Sequence, residues 1–176
     1  MSAIVKQEPR AVLFVVGNGT TALNPLIDQL KLRDNVILTG PVSPLPIDGE
    51  DCLADLYRSS QIYVSAGVAS QAEGLSLAML DGMSTGLAVV GTNISGNRDL
   101  IEHRISGLLV EPAETNQLAE SILTILHGDE LRSRLASSAR SAVQEYHWEA
   151  IAKQYVEVHR EEIETPPHSS TFHGRS

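Results

Sequence analysis

The feature that most constrains this chain is the alternation, at short intervals, of apolar runs ending in turn residues with segments of helical periodicity. Residues 11–17, Ala-Val-Leu-Phe-Val-Val-Gly, form a continuous apolar run that closes on Gly17-Asn18-Gly19, the pattern of a strand buried on both faces. Thr20 or Thr21 can cap a following helix that carries Leu23, Leu26, Ile27 and Leu30 at helical spacing. Val36-Ile37-Leu38 reads as a second strand ending at Gly40-Pro41, followed by a polar, proline-rich loop from Val42 to Asp51. A short helix from about Cys52 to Ser59 turns Leu53, Leu56 and Tyr57 inward. Ile62-Tyr63-Val64 is the third strand, and a loop from Ser65 to Ala72 leads to Glu73-Gly74 and a helix through about Ser84. Ala88-Val89-Val90, a short helix from Asn97 to Glu102, and a last strand Gly107-Leu108-Leu109-Val110 follow. From Thr115 the pattern is helical to about Ile163, with breaks near Gly128 and His147. Residues 1–163 are thus expected to be one domain and residues 164–176 a disordered tail.

Strands alternating with helices in this way imply a parallel sheet covered on both faces, a doubly wound, Rossmann-like α/β layer. In such sheets ligands sit at the carboxyl ends of the strands. The loops at Gly17, Gly40, Ser65 and Gly91 leave strands at that edge and are the expected places for a site.

Charge and composition narrow the function classes. The formal net charge is -9, which argues against a nucleic-acid backbone or an anionic membrane surface as the main partner. A nucleotide is not excluded, because phosphates can be held by backbone amides at a helix N-terminus. The single cysteine, Cys52, allows no intrachain disulfide and fits a reducing compartment. With no apolar run of about 18 residues and no signal peptide, a cytoplasmic protein without a membrane span is expected. The histidines do not pair at ligand spacing, so no metal is expected. Lys6 reads as solvated, and Arg98 with Asp99 as a surface salt bridge. Gly17-Asn18-Gly19 lacks the third glycine of a dinucleotide fingerprint.

The most informative stretch is Glu73-Gly-Leu-Ser-Leu-Ala-Met-Leu-Asp81-Gly-Met-Ser-Thr-Gly86. Its helix has apolar residues nearly all round, the pattern of a buried helix, with Glu73 at its start and Asp81 within it. Carboxylates in such a place need partners. Eight positions on a helix rise roughly 12 Å, about the reach of a diphosphate bearing a sugar at each end, and the free amides of the first turn lie between them. The residues alone leave a second reading open: Glu73 as a charge at the positive end of the helix dipole and Asp81 as a surface residue.

Glu73-Gly74 with Asp81 resembles the Glu-x7-Glu signature of the group 1 glycosyltransferases, family 4, which have the GT-B fold of two Rossmann-like domains. The blocks that follow agree in order: Asp81 to Gly91, Gly96-Asn97-Arg98-Asp99-Leu100-Ile101-Glu102, and Gly107-Leu108-Leu109-Val110. Upstream, Phe14 to Gly19 resembles the family's strand and glycine turn, Asn35 to Gly40 its next strand, and Leu56 to Val64 its third. The resemblance covers about residues 1–160. It implies the donor-binding half of a retaining enzyme that takes a nucleotide-sugar and needs no metal or other cofactor. By the same resemblance Glu73 is the catalytic-site carboxylate at the donor sugar's hydroxyls. Gly74, Leu75 and Ser76 meet the diphosphate, and Asp81 holds the ribose. Gly40 and Val42 meet the base, and Gly17 and Asn18 line the donor site.

Three departures stand out. Asp81 is one methylene shorter than the family's second glutamate. Leu75-Ser76 replaces the usual aromatic and glycine. Residues 1–9 resemble only the tail of the helix after the family domain's first strand, so an absent first strand and an absent acceptor half, or a partner chain, are expected. The strand at Ala11 and the strand at Ile62 then either close up against each other or keep exposed edges. The family's final helix crosses to the other domain, so Tyr146, Trp148 and Tyr155 are expected to pack rather than bind. The alternative function is a non-catalytic module that binds a nucleotide-sugar or a partner protein; a related sugar-nucleotide epimerase ranks third.

Overall fold

Five short parallel strands organise the chain, and their apolar residues explain where each lies. The computed structural model describes residues 1–43, 52–68 and 74–164. These strands are β1 (Leu13–Val16), β2 (Val36–Gly40), β3 (Ile62–Ser65), β4 (Ala88–Thr92) and β5 (Leu108–Val110). They form two sheets: β1 with β2, and β3, β4, β5 in that order. Every pairing is parallel, as the α/β alternation predicts. Expected strand bounds differ from the observed ones by a residue or two.

The three-stranded sheet is covered on both faces. Ala88 and Val90 of β4 and Val110 of β5 pack with Ile125 of α6 (Thr115–His127) and Leu135 of α7 (Asp129–Ala142). Side chains alternate across a strand, so Tyr63, Val89 and Gly91 face the other way. There Gly91 lies under Ile101 and Asn97, and Tyr63 lies under Gly82. Gly82 belongs to α4 (Leu77–Ser84) and Asn97 to α5 (Ser95–Leu100). All five residues of β4 are buried, as befits a central strand with helices on both faces.

The two-stranded sheet differs from expectation. β1 was expected to be buried on both faces, but Leu13, Phe14 and Val15 are only half-buried and Val16 is 43% exposed. β1 pairs with β2 alone and β3 with β4 alone, so each keeps one edge unpaired among the described residues. The helix expected after Gly19 begins as a 3₁₀ turn, Thr20–Leu23, before α2 (Asn24–Gln29). Neither threonine caps it with its side chain; the Thr20 hydroxyl instead accepts the Gly40 N–H at 3.2 Å. Of the four apolar residues at helical spacing only Ile27 is buried, while Leu23, Leu26 and Leu30 are exposed. A second small core joins Ile4 of α1 (Ser2–Val5) to Ala119 and Leu123 of α6, with Ala11 packed against it.

α3 (Cys52–Ser59) has the expected bounds, and Leu53, Leu56 and Tyr57 are half-buried. The chain divides into two compact units, Met1–Val143 and Gln144–Ser176. Among the described residues the second holds the end of a 3₁₀ turn and α8 (Trp148–Glu164), whose Trp148, Tyr155, Val156 and Val158 are exposed. The helix breaks fall at Gly128 and His147 as expected. The expected tail lies outside the described residues, apart from Glu164 at the end of α8. No helix among the described residues is long and apolar enough to cross a membrane.

Candidate donor site

The structure sets the expected site residues in two groups, each at the carboxyl ends of parallel strands. In the first, β1 and β2 end side by side: Gly17 donates its N–H to the Gly40 carbonyl at 2.8 Å. Gly40 has φ +68°, a left-handed conformation that glycine adopts without steric cost. The chain can therefore turn sharply into Pro41-Val42. Asn18 is exposed beside this turn and Val42 is half-buried.

The second group surrounds the start of α4. The helix does not begin at Glu73-Gly74. It begins at Leu77, with Ser76 as its cap: the Ser76 hydroxyl accepts the Met79 N–H at 3.3 Å. Serine favours this position because its oxygen satisfies an amide that has no helical partner. The 12 Å helical spacing between Glu73 and Asp81 therefore does not apply, since Glu73 precedes the cap. Glu73 itself lies outside the described residues. Nor is α4 buried all round. Met79 and Met83 are fully buried, whereas Leu77 is 73% exposed, and Leu75, Ala78 and Asp81 are exposed as well. The apolar content is greater than the helix has buried surface to match.

This exposure leaves the first turn open. Among the described residues no acceptor takes the N–H of Leu77 or Ala78. Asp81 stands one turn further along, and its carboxylate accepts no hydrogen bond from any described residue. Two tyrosines back the turn. The Tyr57 hydroxyl donates to the Ala78 carbonyl at 3.2 Å, and the Tyr57 and Tyr63 rings lie 6.4 Å apart at 42°. A Cβ at Gly82 would sit 3.1 Å from the Tyr63 ring, so glycine there allows the close approach. Burial pushes the Tyr57 phenol up to about 12, with Tyr63 and Asp81 adding to the shift. Burial raises Tyr63 too, with a contribution from Asp81, while the Ser76 hydroxyl beside it works in the opposite direction.

A pH dependence follows. The folded chain holds Tyr57 neutral above its ordinary value of 10.0, so the unfolded state releases that proton first. Stability contributed by the neutral phenol is complete below about pH 10 and is lost as pH rises toward 12. Ultraviolet titration is expected to show phenolate appearing late in the folded chain, with the melting temperature falling over the same window. A titration indistinguishable from that of free tyrosine would remove the packing described for Tyr57.

At the end of β3, a buried polar network that the sequence did not reveal secures the loop. The Ser65 hydroxyl donates to Asn97 Oδ1 at 3.0 Å, and Asn97 Nδ2 donates to the Thr92 carbonyl at 2.8 Å. The Thr92 hydroxyl donates to the Gly67 carbonyl at 2.7 Å. Asn97 reads in sequence as one polar residue of a short helix; only the tertiary contact makes it a hub. Beneath this loop a cavity of about 100 Å³ is lined by Ala66, Val68, Thr92, Val110 and Leu118 among others. That is smaller than an ordinary ligand pocket, so the open turn of α4 is the better candidate. Arg98 is exposed on α5. No group of three or more His, Cys, Asp or Glu side chains is placed to hold a metal among the described residues.

The chain matches known proteins over most of its length. Residues 1–128 match the family model for glycosyl transferases group 1. N-acetyl-alpha-D-glucosaminyl L-malate synthase of Bacillus anthracis is 27% identical over 160 residues, covering 89% of this chain and 39% of that protein. D-inositol 3-phosphate glycosyltransferase of Thermobispora bispora is 29% identical over 151 residues, covering 84% of this chain and 33% of that protein. Among solved structures, Anabaena HepE in complex with UDP superposes with a TM-score of 0.76 at 22% identity, covering 90% of this chain and 44% of that one. Sucrose-phosphate synthase of Thermosynechococcus elongatus gives 0.77 at 25% identity, covering 93% and 41%. The chain therefore spans well under half the length of each of these proteins. With its parallel sheets, its covered central strand and a family match across more than half of its residues, the chain belongs to the group 1 glycosyl transferases.

Proposed function

We propose that this chain is the donor-binding half of a retaining glycosyltransferase: it holds a nucleoside-diphosphate sugar while the glycosyl group passes to an acceptor with its anomeric configuration kept. The observation that carries the reading is the first turn of α4, where among the described residues no acceptor meets the N–H of Leu77 or Ala78, with the exposed Asp81 one turn on. In this reading the diphosphate rests at that turn and the adjoining Gly74-Leu75-Ser76 backbone, where amides and the helix dipole favour negative charge. That makes the net charge of -9 no obstacle, because the seat is backbone rather than lysine or arginine. Asp81 accepts hydrogen bonds from the ribose hydroxyls, and Glu73 from the donor sugar. The Gly40 and Val42 backbone meets the base, with Gly17 and Asn18 beside it. Chemistry then rests on positioning and on stabilising the charge of the leaving diphosphate, and no metal is required.

Asp81 gives the test. Asp81→Ala is expected to weaken binding of UDP, GDP or ADP, whichever the unaltered chain prefers, by about tenfold, equivalent to ~1.4 kcal/mol for hydrogen bonds to a charged group. Asp81→Glu is expected to retain the affinity. Because Asp81 is exposed, neither change should move the melting temperature much. Equal affinity in the alanine variant, measured by calorimetry, would remove Asp81 from the donor site.

Acceptor binding is assigned in the same proposal to a further domain or a partner chain. The edges of β1 and β3 that are unpaired among the described residues, with Val12 and Val16 exposed, support it, since exposed apolar strand edges are ordinarily covered. The second reading, a module that binds a nucleotide-sugar without turning it over, draws on the same edges. Mixing the chain with the donor and following release of the nucleoside diphosphate separates the two: release favours the enzyme, binding without release favours the module.

A further inference from the structure

We propose that Tyr57 and Tyr63 are positioning residues for the diphosphate seat: together they fix the first turn of α4 so that its outward N–H groups can meet a phosphate. The proposal rests on the donor reading above. A helix terminus can serve as an anion seat only if its amides are held in place before the ligand arrives, since ordering them on binding costs affinity. In the first turn of α4 only Met79 is fully buried; Leu77 and Ala78, like Leu75 before the helix, are exposed, so the peptides at Leu77 and Ala78 need a further hold.

The two tyrosines supply what the turn lacks. Tyr57 reaches across from α3 and donates to the Ala78 carbonyl at 3.2 Å. This ties down the peptide between Ala78 and Met79, next to the outward Ala78 N–H. Tyr63 rises from β3, its ring packed under Gly82, and the Ser76 hydroxyl acts on its phenol by lowering its pKa. That same hydroxyl accepts the Met79 N–H. Met79 is thereby satisfied internally, and Leu77 and Ala78 are the first-turn amides with no acceptor among the described residues. The rings brace each other at 6.4 Å, so a shift in either is felt at both contacts.

Tyr57→Phe and Tyr63→Phe each remove one hydroxyl and little volume. The probes are UDP, GDP and ADP, with uridine, guanosine and adenosine as nucleosides lacking the diphosphate. Tyr57→Phe, which loses the bond to the Ala78 carbonyl, is expected to lose about threefold to tenfold in affinity for the preferred diphosphate, the range of one hydrogen bond, and Tyr63→Phe to lose affinity in the same direction, with affinity for the matching nucleoside unchanged in both. Loss shared equally by nucleoside and diphosphate, or no loss, overturns the proposal. If the unaltered chain binds none of the three diphosphates, the donor reading fails, and hydrogen exchange without ligand still decides whether the tyrosines hold the turn. Faster exchange confined to the amides of Leu77 to Leu80 in the variants, with β4 unchanged, supports the tyrosine hold. Unchanged exchange there overturns it.

Discussion

Leu135→Ala is expected to destabilise the chain by about 2–5 kcal/mol, the range for truncating a fully buried leucine. Leu135 is completely buried on α7 and packs with Ala88, Val90, Val110 and Ile125. The loss combines the transfer of buried methyl groups with the cavity left behind, and neighbours that belong to strands and a second helix can close it only in part. A domain of this size is stable by only about 5–15 kcal/mol, so the variant should melt much earlier. Ser133→Ala, at an exposed position on the same helix, is expected to stay within about 0.5 kcal/mol of the unaltered chain. Denaturant titration of both checks the assignment. Equal effects would mean that the core joining α6 and α7 to β4 is not the one described.

Glu73→Ala is expected to abolish the advantage that a sugar-bearing donor has over its bare nucleoside diphosphate. In the proposed site Glu73 touches the sugar, whereas Asp81 and the first turn of α4 hold the nucleotide. Hydrogen bonds to a charged group contribute about 1.5–3 kcal/mol, so affinity for a UDP-sugar should fall roughly tenfold to a hundredfold while affinity for UDP stays close to its original value. A parallel drop for both would place Glu73 at the nucleotide. No drop for either would remove it from the site.

Much of the fold is legible in the residues because punctuation and periodicity coincide. Gly128 and His147 mark the breaks between the last helices, and the run Cys52–Ser59 is a helix with Leu53, Leu56 and Tyr57 on its inner side. The short apolar runs at Val36, Ile62 and Ala88 become strands because each is too brief for a helix and is bounded by turn residues.

What the residues did not disclose depends on neighbours distant in sequence. The apolar run of β1 reads as doubly buried, yet that needs a layer packed on each face of the sheet, and Leu13, Phe14 and Val15 are only half-buried with Val16 exposed. The apolar character of Leu75 to Met83 reads as a buried helix, whereas its first turn stands open at the edge of the sheet. A local signal for the true start was present: Ser76 is a strong N-cap residue ahead of Leu-Ala-Met, and it outweighs the Glu73-Gly74 pair as a boundary. Of the proposed site, Asp81 and the Gly40 turn can be picked out in sequence. The seating of Tyr57 and Tyr63 on α4, and the Ser65–Asn97–Thr92 network, emerge only when β3, β4 and the three helices α3, α4 and α5 come together.

The most direct measurement is a calorimetric titration of UDP-glucose, GDP-glucose and ADP-glucose into the purified chain, after cooperative melting has shown it to be folded. The account predicts that one of the three binds, and that Glu73→Ala and Asp81→Ala both weaken the binding. A folded chain that binds none of them, or binds one with equal affinity in both variants, would contradict it.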